Sequence, residues 1–223
     1  MSASPQATVF AGGEGDAWLA RNREHLQHYD LAADPVARAI SATGLQPRRI
    51  LDYGCSLGTR LSALCATYGA HGTGIEPSAQ AIAAATVRDP DRSWLVGTLD
   101  AHPPLAGTFD LVVLSFVLHW VDRRLLLASL ANLDRHVTEG GCVVIADFLP
   151  DHPQRREYHH LAGQGVFTYK NDYPAMLAAT GIYRLLSRQT LAYPAFTPAQ
   201  PGPGDRAVVA VLERIAPELI PQG

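Results

Sequence analysis

Two short runs, FDLVVLS at Phe109–Ser115 and CVVIA at Cys142–Ala146, are apolar at nearly every position rather than at alternate ones. A strand of that kind has no face for water and needs cover on both sides, as in a parallel sheet sandwiched between helices. The segments around the two runs repeat the same grammar. Arg49–Tyr53 (RILDY) is a short apolar run ending at Gly54, and Leu61, Leu64, Cys65 and Tyr68 follow at helical spacing. A second strand is expected at Gly72–Glu76, then an alanine-rich helix from Pro77 to about Val87 with Ser78 as its N-cap, then a short strand at Ser93–Gly97. An amphipathic helix over Asp122–Val137, stopped by Gly140-Gly141, is expected between the two apolar runs. Strand–helix alternation of this length calls for right-handed crossovers and an open α/β sandwich.

The pattern changes past residue 146. Phe148–Pro174 is rich in His, Tyr, Arg and Gly without clear periodicity, and reads as a lid over one sheet edge. Tyr183–Tyr193 and Arg206–Leu212 read as an antiparallel strand pair at the edge, joined by Pro194–Gly204. That loop either closes a hairpin or meets a second copy of the chain, and the sequence leaves both readings open. Asp16–Tyr29 and Pro35–Thr43 read as two helices outside the core. At 223 residues the chain is expected to form one domain: an N-terminal helical cap (1–45), a core (46–147), a lid (148–180) and a C-terminal strand pair (181–223).

Composition narrows the function. A net charge of −3 argues against a general basic surface for nucleic acid or anionic membrane. The three cysteines, Cys55, Cys65 and Cys142, form no C-x-x-C pair, and MSASPQATVF lacks a basic region followed by an apolar run, so a cytoplasmic protein is expected. The nine histidines show no metal-ligand spacing, and no metal is expected.

Ligands of open α/β sheets sit at the carboxyl ends of the strands. At the first such end stands Asp52-Tyr-Gly54-Cys-Ser-Leu-Gly58, whose glycines permit close backbone approach ahead of a helix N-terminus. A dinucleotide fold prefers G-x-G-x-x-G, with its middle glycine making room for a pyrophosphate; here Ser56 holds the middle place. The second strand ends at Glu76, an acceptor for ribose hydroxyls, and Asp100 follows the third, placed to accept from an adenine amino group. Three strand-end acids without a phosphate-binding lysine point to a cofactor with ribose and adenine but no phosphate.

With ILDYGCSLGTR (Ile50–Arg60), GIEPS (Gly74–Ser78), TLD (Thr98–Asp100), FDLVVLSFVLHWVD (Phe109–Asp122) and EGGCVVIADF (Glu139–Phe148) in this order, the chain resembles the class I S-adenosylmethionine-dependent methyltransferases over residues 49–148. The resemblance implies a Rossmann-like, seven-stranded, mostly parallel sheet with an antiparallel last strand, and S-adenosyl-L-methionine as cofactor. It implies cofactor contacts from Asp52, Gly54, Cys55 through its backbone, Ser56, where many members carry glycine, and Gly58. Glu76, Pro77, Leu99, Asp100 and Ser115 join them, and AWLARN (Ala17–Asn22) caps the cofactor with Trp18 and with Arg21, which reaches the methionine carboxylate.

His119, just past the fourth strand, is the first candidate base, and Tyr158, His159 and His160 in the lid form a second catalytic cluster. Each has a plain structural alternative, as a strand cap and as a solvated pair. Arg155, Arg156 and Lys170 make the lid locally cationic and suited to an acceptor oxyanion, while Tyr169 and Tyr173 offer rings to a sugar or planar group. The lid is loosely similar to that of sugar and secondary-metabolite methyltransferases. A small-molecule O- or N-methyltransferase is the expectation; a non-catalytic cofactor-binding module and a nicotinamide-dependent oxidoreductase are the alternatives.

Overall fold

The computed structural model describes residues 5–100, 104–197, 204 and 206–217; most of the Pro194–Gly204 loop therefore lies outside the described residues. Seven strands form one sheet in the order β3-β2-β1-β4-β5-β9-β8. Its members are β1 (Arg49–Tyr53), β2 (His71–Glu76), β3 (Ser93–Val96), β4 (Phe109–Ser115) and β5 (Val137–Phe148); β8 (Tyr183–Ala192) and β9 (Arg206–Arg214) complete it. β1 through β5 pair parallel, whereas β9 runs antiparallel to both β5 and β8. This is the Rossmann-like arrangement expected of the sequence, with its antiparallel last strand inserted between β5 and the edge strand β8.

Successive residues of the central strands feed opposite layers, as the two-residue pleat period requires. Leu51, Tyr53, Val112, Leu114, Val143 and Ile145 meet α6 (Leu126–Asp134) and α7 (Tyr173–Ala178) on one face. Ile50, Leu111, Val113 and Val144 meet α3 (Pro35–Ala42) and α4 (Thr59–Tyr68) on the other. α3 thus belongs to the core, contrary to its expected place outside it: Val36 and Ile40 are almost wholly buried. Asp34 caps this helix by accepting from Val36 N (2.8 Å).

The connection from β4 to β5 differs most from expectation. Helix α6 begins only at Leu126, because Asp122 turns the preceding chain by accepting from Arg124 N (2.9 Å). It ends at Asp134, and Gly140-Gly141 lies inside β5, where the register against β4 shifts between Phe109 and Leu111. The lid also has structure: β6 (Gln154–Glu157) and β7 (Phe167–Lys170) form an antiparallel hairpin, with a 3-10 turn at His159–Leu161 between them. Alternation within short, mostly polar strands gave no sequence signal for it.

The N-terminal segment comprises α1 (Pro5–Val9), a π-helical turn over Phe10–Glu14 and α2 (Gly15–Gln27), and α2 packs against α5 (Ala79–Arg88). Asp16 fastens it by accepting from Ser78 Oγ and Gln80 N (3.2 Å), and the Ser78 hydroxyl holds its carboxyl below the ordinary range. Ser78 in turn caps α5 at Ala81 N (3.0 Å). Among the described residues no helix is long and apolar enough to cross a membrane.

The two sides of α6 give a test of the layering. Leu133 is fully buried and Leu127 is 74 % exposed. Leu133→Ala should lower the unfolding free energy by about 2–5 kcal/mol, and Leu127→Ala by no more than about 0.5 kcal/mol, both measured by urea denaturation.

Candidate active site

At the carboxyl end of β1 the chain turns through Gly54 (φ 69°), Ser56 (φ 51°) and Gly58 (φ 70°) before entering α4. The N–H groups of Gly54 and Cys55 both donate to Ile75 O (2.8 and 3.1 Å), tying the loop to β2. A Cβ at Gly58 would lie 2.2 Å from Trp94 Cη2, so glycine is required there both by the left-handed backbone and by the indole of β3. Ser56 adopts the same left-handed conformation, so its Cβ does not divert the loop. Its hydroxyl is buried without a partner, and its N–H donates to Glu76 Oε2 (3.0 Å).

Two carboxylates end the strands beside this loop. Glu76, at the end of β2, also accepts from Ser78 N (3.1 Å) through Oε1; burial raises its pKa, against the pull of the two N–H donors. Asp52 is fully buried, and neither of its carboxylate oxygens has a partner. Desolvation, opposed by Arg60 and reinforced by Asp34 and Glu76, pushes its pKa up to about 7. Beneath it Arg60 Nε donates to Asp34 Oδ2 (2.7 Å), and the Tyr29 hydroxyl donates to the same oxygen (2.8 Å). Desolvation of Asp34 is outweighed by these donors, and its carboxyl stays below the ordinary range. Sequence reading missed this supporting network; Arg60, in the first turn after Gly58, was its one visible sign.

The remaining expected contacts scatter. Pro77 lies against the N-terminal segment, its carbonyl carbon 3.2 Å from where a Gly15 Cβ would stand. Cys55 and Leu99 are buried, and Leu99 packs in the core. Asp100 and Ser115 are half-buried at the ends of β3 and β4, and Trp18 is half-buried on α2. Arg21 donates through Nη2 to Glu14 and to the Tyr158 hydroxyl (2.7 Å).

On the other side of β4, His119 and Asp147 form a buried pair. His119 Nδ1 lies 2.9 Å from Asp147 Oδ1, and His119 N donates to Oδ2 (3.2 Å). A carboxylate only accepts, so an imidazole proton sits on Nδ1, and Nε2 is the ring nitrogen that Asp147 leaves uncommitted. Asp147 itself is held by Phe148 N (2.8 Å). The sequence did not mark Asp147, which ends a run of core residues. Rings of Phe116, Trp120 and Phe148 surround the imidazole at 6.2, 4.9 and 4.9 Å.

The lid cluster divides. Tyr158 is buried, donates to Glu14 Oε1 (2.8 Å), and its pKa rises to about 12 through burial and Glu14, which unfits it as a base near neutral pH. His159 and His160 are exposed on the 3-10 turn and do not enter the buried centre. The hairpin also separates the cations. Arg155 pairs in register with Tyr169, and Arg156 with Thr168, so Arg155 and Arg156 take opposite faces. Arg155 stacks on Phe167 (3.5 Å to the centroid), and Lys170 lies over Phe148 (3.7 Å). Tyr173 is a core residue that donates to Tyr169 O rather than an exposed stacking ring.

The family profile described as a methyltransferase domain matches residues 20–192. The chain belongs to the S-adenosylmethionine-dependent methyltransferases. No curated protein matches it significantly in sequence. Among solved structures it is similar to the 1,6-didemethyltoxoflavin-N1-methyltransferase of Burkholderia thailandensis, bound there to 1,6-didemethyltoxoflavin and S-adenosylhomocysteine. That match has 14 % identity and a TM-score of 0.72, over 97 % of this chain and 92 % of the other. A TehB-like methyltransferase of Corynebacterium glutamicum matches at 22 % identity and TM-score 0.62, over 91 % and 99 % of the chains. The N-methyltransferase NodS of Bradyrhizobium japonicum, with S-adenosylhomocysteine, matches at 17 % and 0.57, over 82 % and 90 %. At these identities the likeness is one of fold. For this methyltransferase the cofactor is S-adenosylmethionine, and the residues at the β1 and β2 ends suit it: Asp52 and Ser56 offer buried polar atoms with no partner of their own.

The close packing of Gly58 on Trp94 is open to test. Gly58→Ala should cost at least about 1–2 kcal/mol from its left-handed backbone alone. If the indole contact adds to this, the loss in the Gly58→Ala, Trp94→Ala double variant will be smaller than the sum of the single losses; strict additivity would show that Trp94 gives way without strain.

Proposed function

We propose that this methyltransferase acts on a nitrogen or oxygen of a small molecule, with Asp52 and Glu76 holding the cofactor and His119 taking the acceptor's proton. The observation that carries the reading is the pair of strand-end carboxylates on the glycine loop, one of them buried without any partner. The bound cofactor supplies an electrophilic methyl group on a sulfonium. Asp52 suits an ammonium group, because a cation restores the compensation that its buried carboxylate lacks. Glu76 keeps lone pairs for ribose hydroxyls beside the two it commits to Ser56 and Ser78, and Asp100 serves the adenine end.

The N-terminal segment covers this half of the site. Asp16 anchors it on Ser78, while Glu14 and Arg21 join it to Tyr158 of the lid; on this reading cap and lid close together over the centre and exclude water. Alignment inside such an enclosure supplies much of the rate of a displacement reaction. His119, with Nδ1 held by Asp147, presents Nε2 to the proton of a protonated amine or a hydroxyl. Arg155, on the same hairpin face as Tyr169, favours an acceptor that carries an oxyanion, and the net charge of −3 disfavours nucleic acid in that role.

Titration with S-adenosylhomocysteine tests the cofactor half. Free, folded protein keeps Asp52 protonated below pH about 7, whereas a bound ammonium keeps it ionised. Affinity should therefore rise with pH, with proton release on binding, and level off above about 7. Arg60 and the ionised Asp34 face Asp52, and Glu76 also titrates upward-shifted, so Asp52→Asn is the control: it should bind more weakly and lose most of the slope. A wild-type affinity independent of pH would remove Asp52 from this role. For the acceptor half, labelled methyl transfer across a panel of amines and phenols reads turnover. His119→Asn should lower it by about 10²-fold or more while S-adenosylhomocysteine affinity stays within about twofold; unchanged turnover would assign His119 to capping alone.

A further inference from the structure

The loop that begins at His119 continues through Trp120 and Val121 to Asp122, Arg123 and Arg124. There it forms one wall of a cavity of about 630 Å³, the size of a small-ligand site. β6 contributes Arg155, the β7 side contributes Phe167 and Tyr169, and Gln6 closes the cavity from the N-terminal segment, donating to Trp120 O. Three guanidinium groups thus meet one carboxylate. Asp122 forms hydrogen bonds with Arg124, through contacts of 3.2 and 2.9 Å to Nε and Nη2, and its carboxyl is held below the ordinary range chiefly by that partner, with a smaller pull from the charge of Arg155. Among the described residues neither Arg123 nor Arg155 forms an ion pair. In a chain of net charge −3, this is a local excess of positive charge facing a concave, partly aromatic space.

We infer that this cavity binds a phosphate, sulfate or carboxylate borne on a ring, with Arg123 and Arg155 gripping the oxyanion and the rings of Phe167 and Tyr169 contacting the ring. Guanidinium forks match such oxygens in pairs, and their hydrogen bonds are charge-assisted. The rings distinguish the site from a surface that merely attracts anions, because they add contact area that an inorganic ion cannot use. Arg155 is already stacked on Phe167, which fixes its guanidinium before any ligand arrives. Arg156, on the opposite face of the hairpin, is excluded from the cavity and provides an internal control. The inference deepens the reading of an anionic small-molecule acceptor and rests on it: Arg123 stands four residues past His119 on the same stretch of chain.

The probes are phenyl phosphate and inorganic phosphate, titrated calorimetrically into the full chain at a fixed ionic strength of about 0.15 M, where exposed charges are largely screened. S-adenosylhomocysteine is titrated in parallel. Phenyl phosphate should bind at least about tenfold more tightly than inorganic phosphate. Arg123→Glu and Arg155→Met should each weaken it by about tenfold or more, while Arg156→Met leaves it unchanged. In these variants S-adenosylhomocysteine affinity should be that of wild type, which shows that they fold. Equal affinity for both phosphates, or equal losses in Arg156→Met, would reduce the cavity to unspecific charge and overturn the inference. So would an absence of phenyl phosphate binding in protein that still takes S-adenosylhomocysteine. Loss of S-adenosylhomocysteine binding in the wild type would instead overturn the cofactor reading.

Discussion

Strands β1, β4 and β5 are covered on both faces, so their interiors accept only apolar side chains, and polar chemistry is confined to the ends where the helices no longer cover them. Nearly everything functional in this methyltransferase follows from that confinement. Asp52 and Glu76 stand one strand apart at the ends of β1 and β2. His119 follows β4, and Asp147 lies near the end of β5 on the face of Val143 and Ile145. The parallel register brings these ends side by side. A pair of strand-end carboxylates and a buried imidazole–carboxylate pair therefore share one edge of the sheet without any of the four groups being close in sequence.

The cost of placing charge at such an edge is met in different ways. Asp34 is desolvated but has Arg60, Tyr29 and Val36 N as partners, and stays ionised. Glu76 has two backbone donors, and Asp147 has two backbone donors and an imidazole. Asp52 has none, which sets it apart and is why it is proposed to find its compensation in a ligand. The N-terminal segment and the lid meet above this edge in a second polar cluster, Glu14, Arg21 and Tyr158, with Phe10, Trp120 and Tyr158 packed beside it at 4.7 and 4.8 Å. Arg21, expected to touch the cofactor, is part of this cluster through Nη2.

Much of the framework was legible in the chain itself. Doubly apolar runs at β4 and β5, the turn from Asp52 to Gly58 and the return to Glu76 marked the parallel sheet and its ligand-bearing ends, since these depend on local pattern and on spacing. The Asp122–Val137 segment was misread because its apolar residues keep helical spacing past Asp134, while the backbone turns at Asp122 and bends at Gly140-Gly141 to meet the register of β4. In the lid, strands of four residues with mostly polar side chains carry too few positions for a period to show.

What the sequence by itself determined is the parallel sheet and its strand-end carboxylates, because burial on both faces and the glycine turn are written in neighbouring residues; the antiparallel last strand was implied by the family resemblance. Tertiary structure alone decided which polar groups are partnered. Tyr29 with Asp34 and Arg60, His119 with Asp147, and Glu14 with Arg21 and Tyr158 join distant segments, and a hydrogen bond between distant segments leaves no periodic trace in the chain. The division of Arg155 from Arg156, and the meeting of Arg155 with Arg123, likewise came from hairpin register and packing against the loop after His119, the physical events that bring separate stretches of chain to one place.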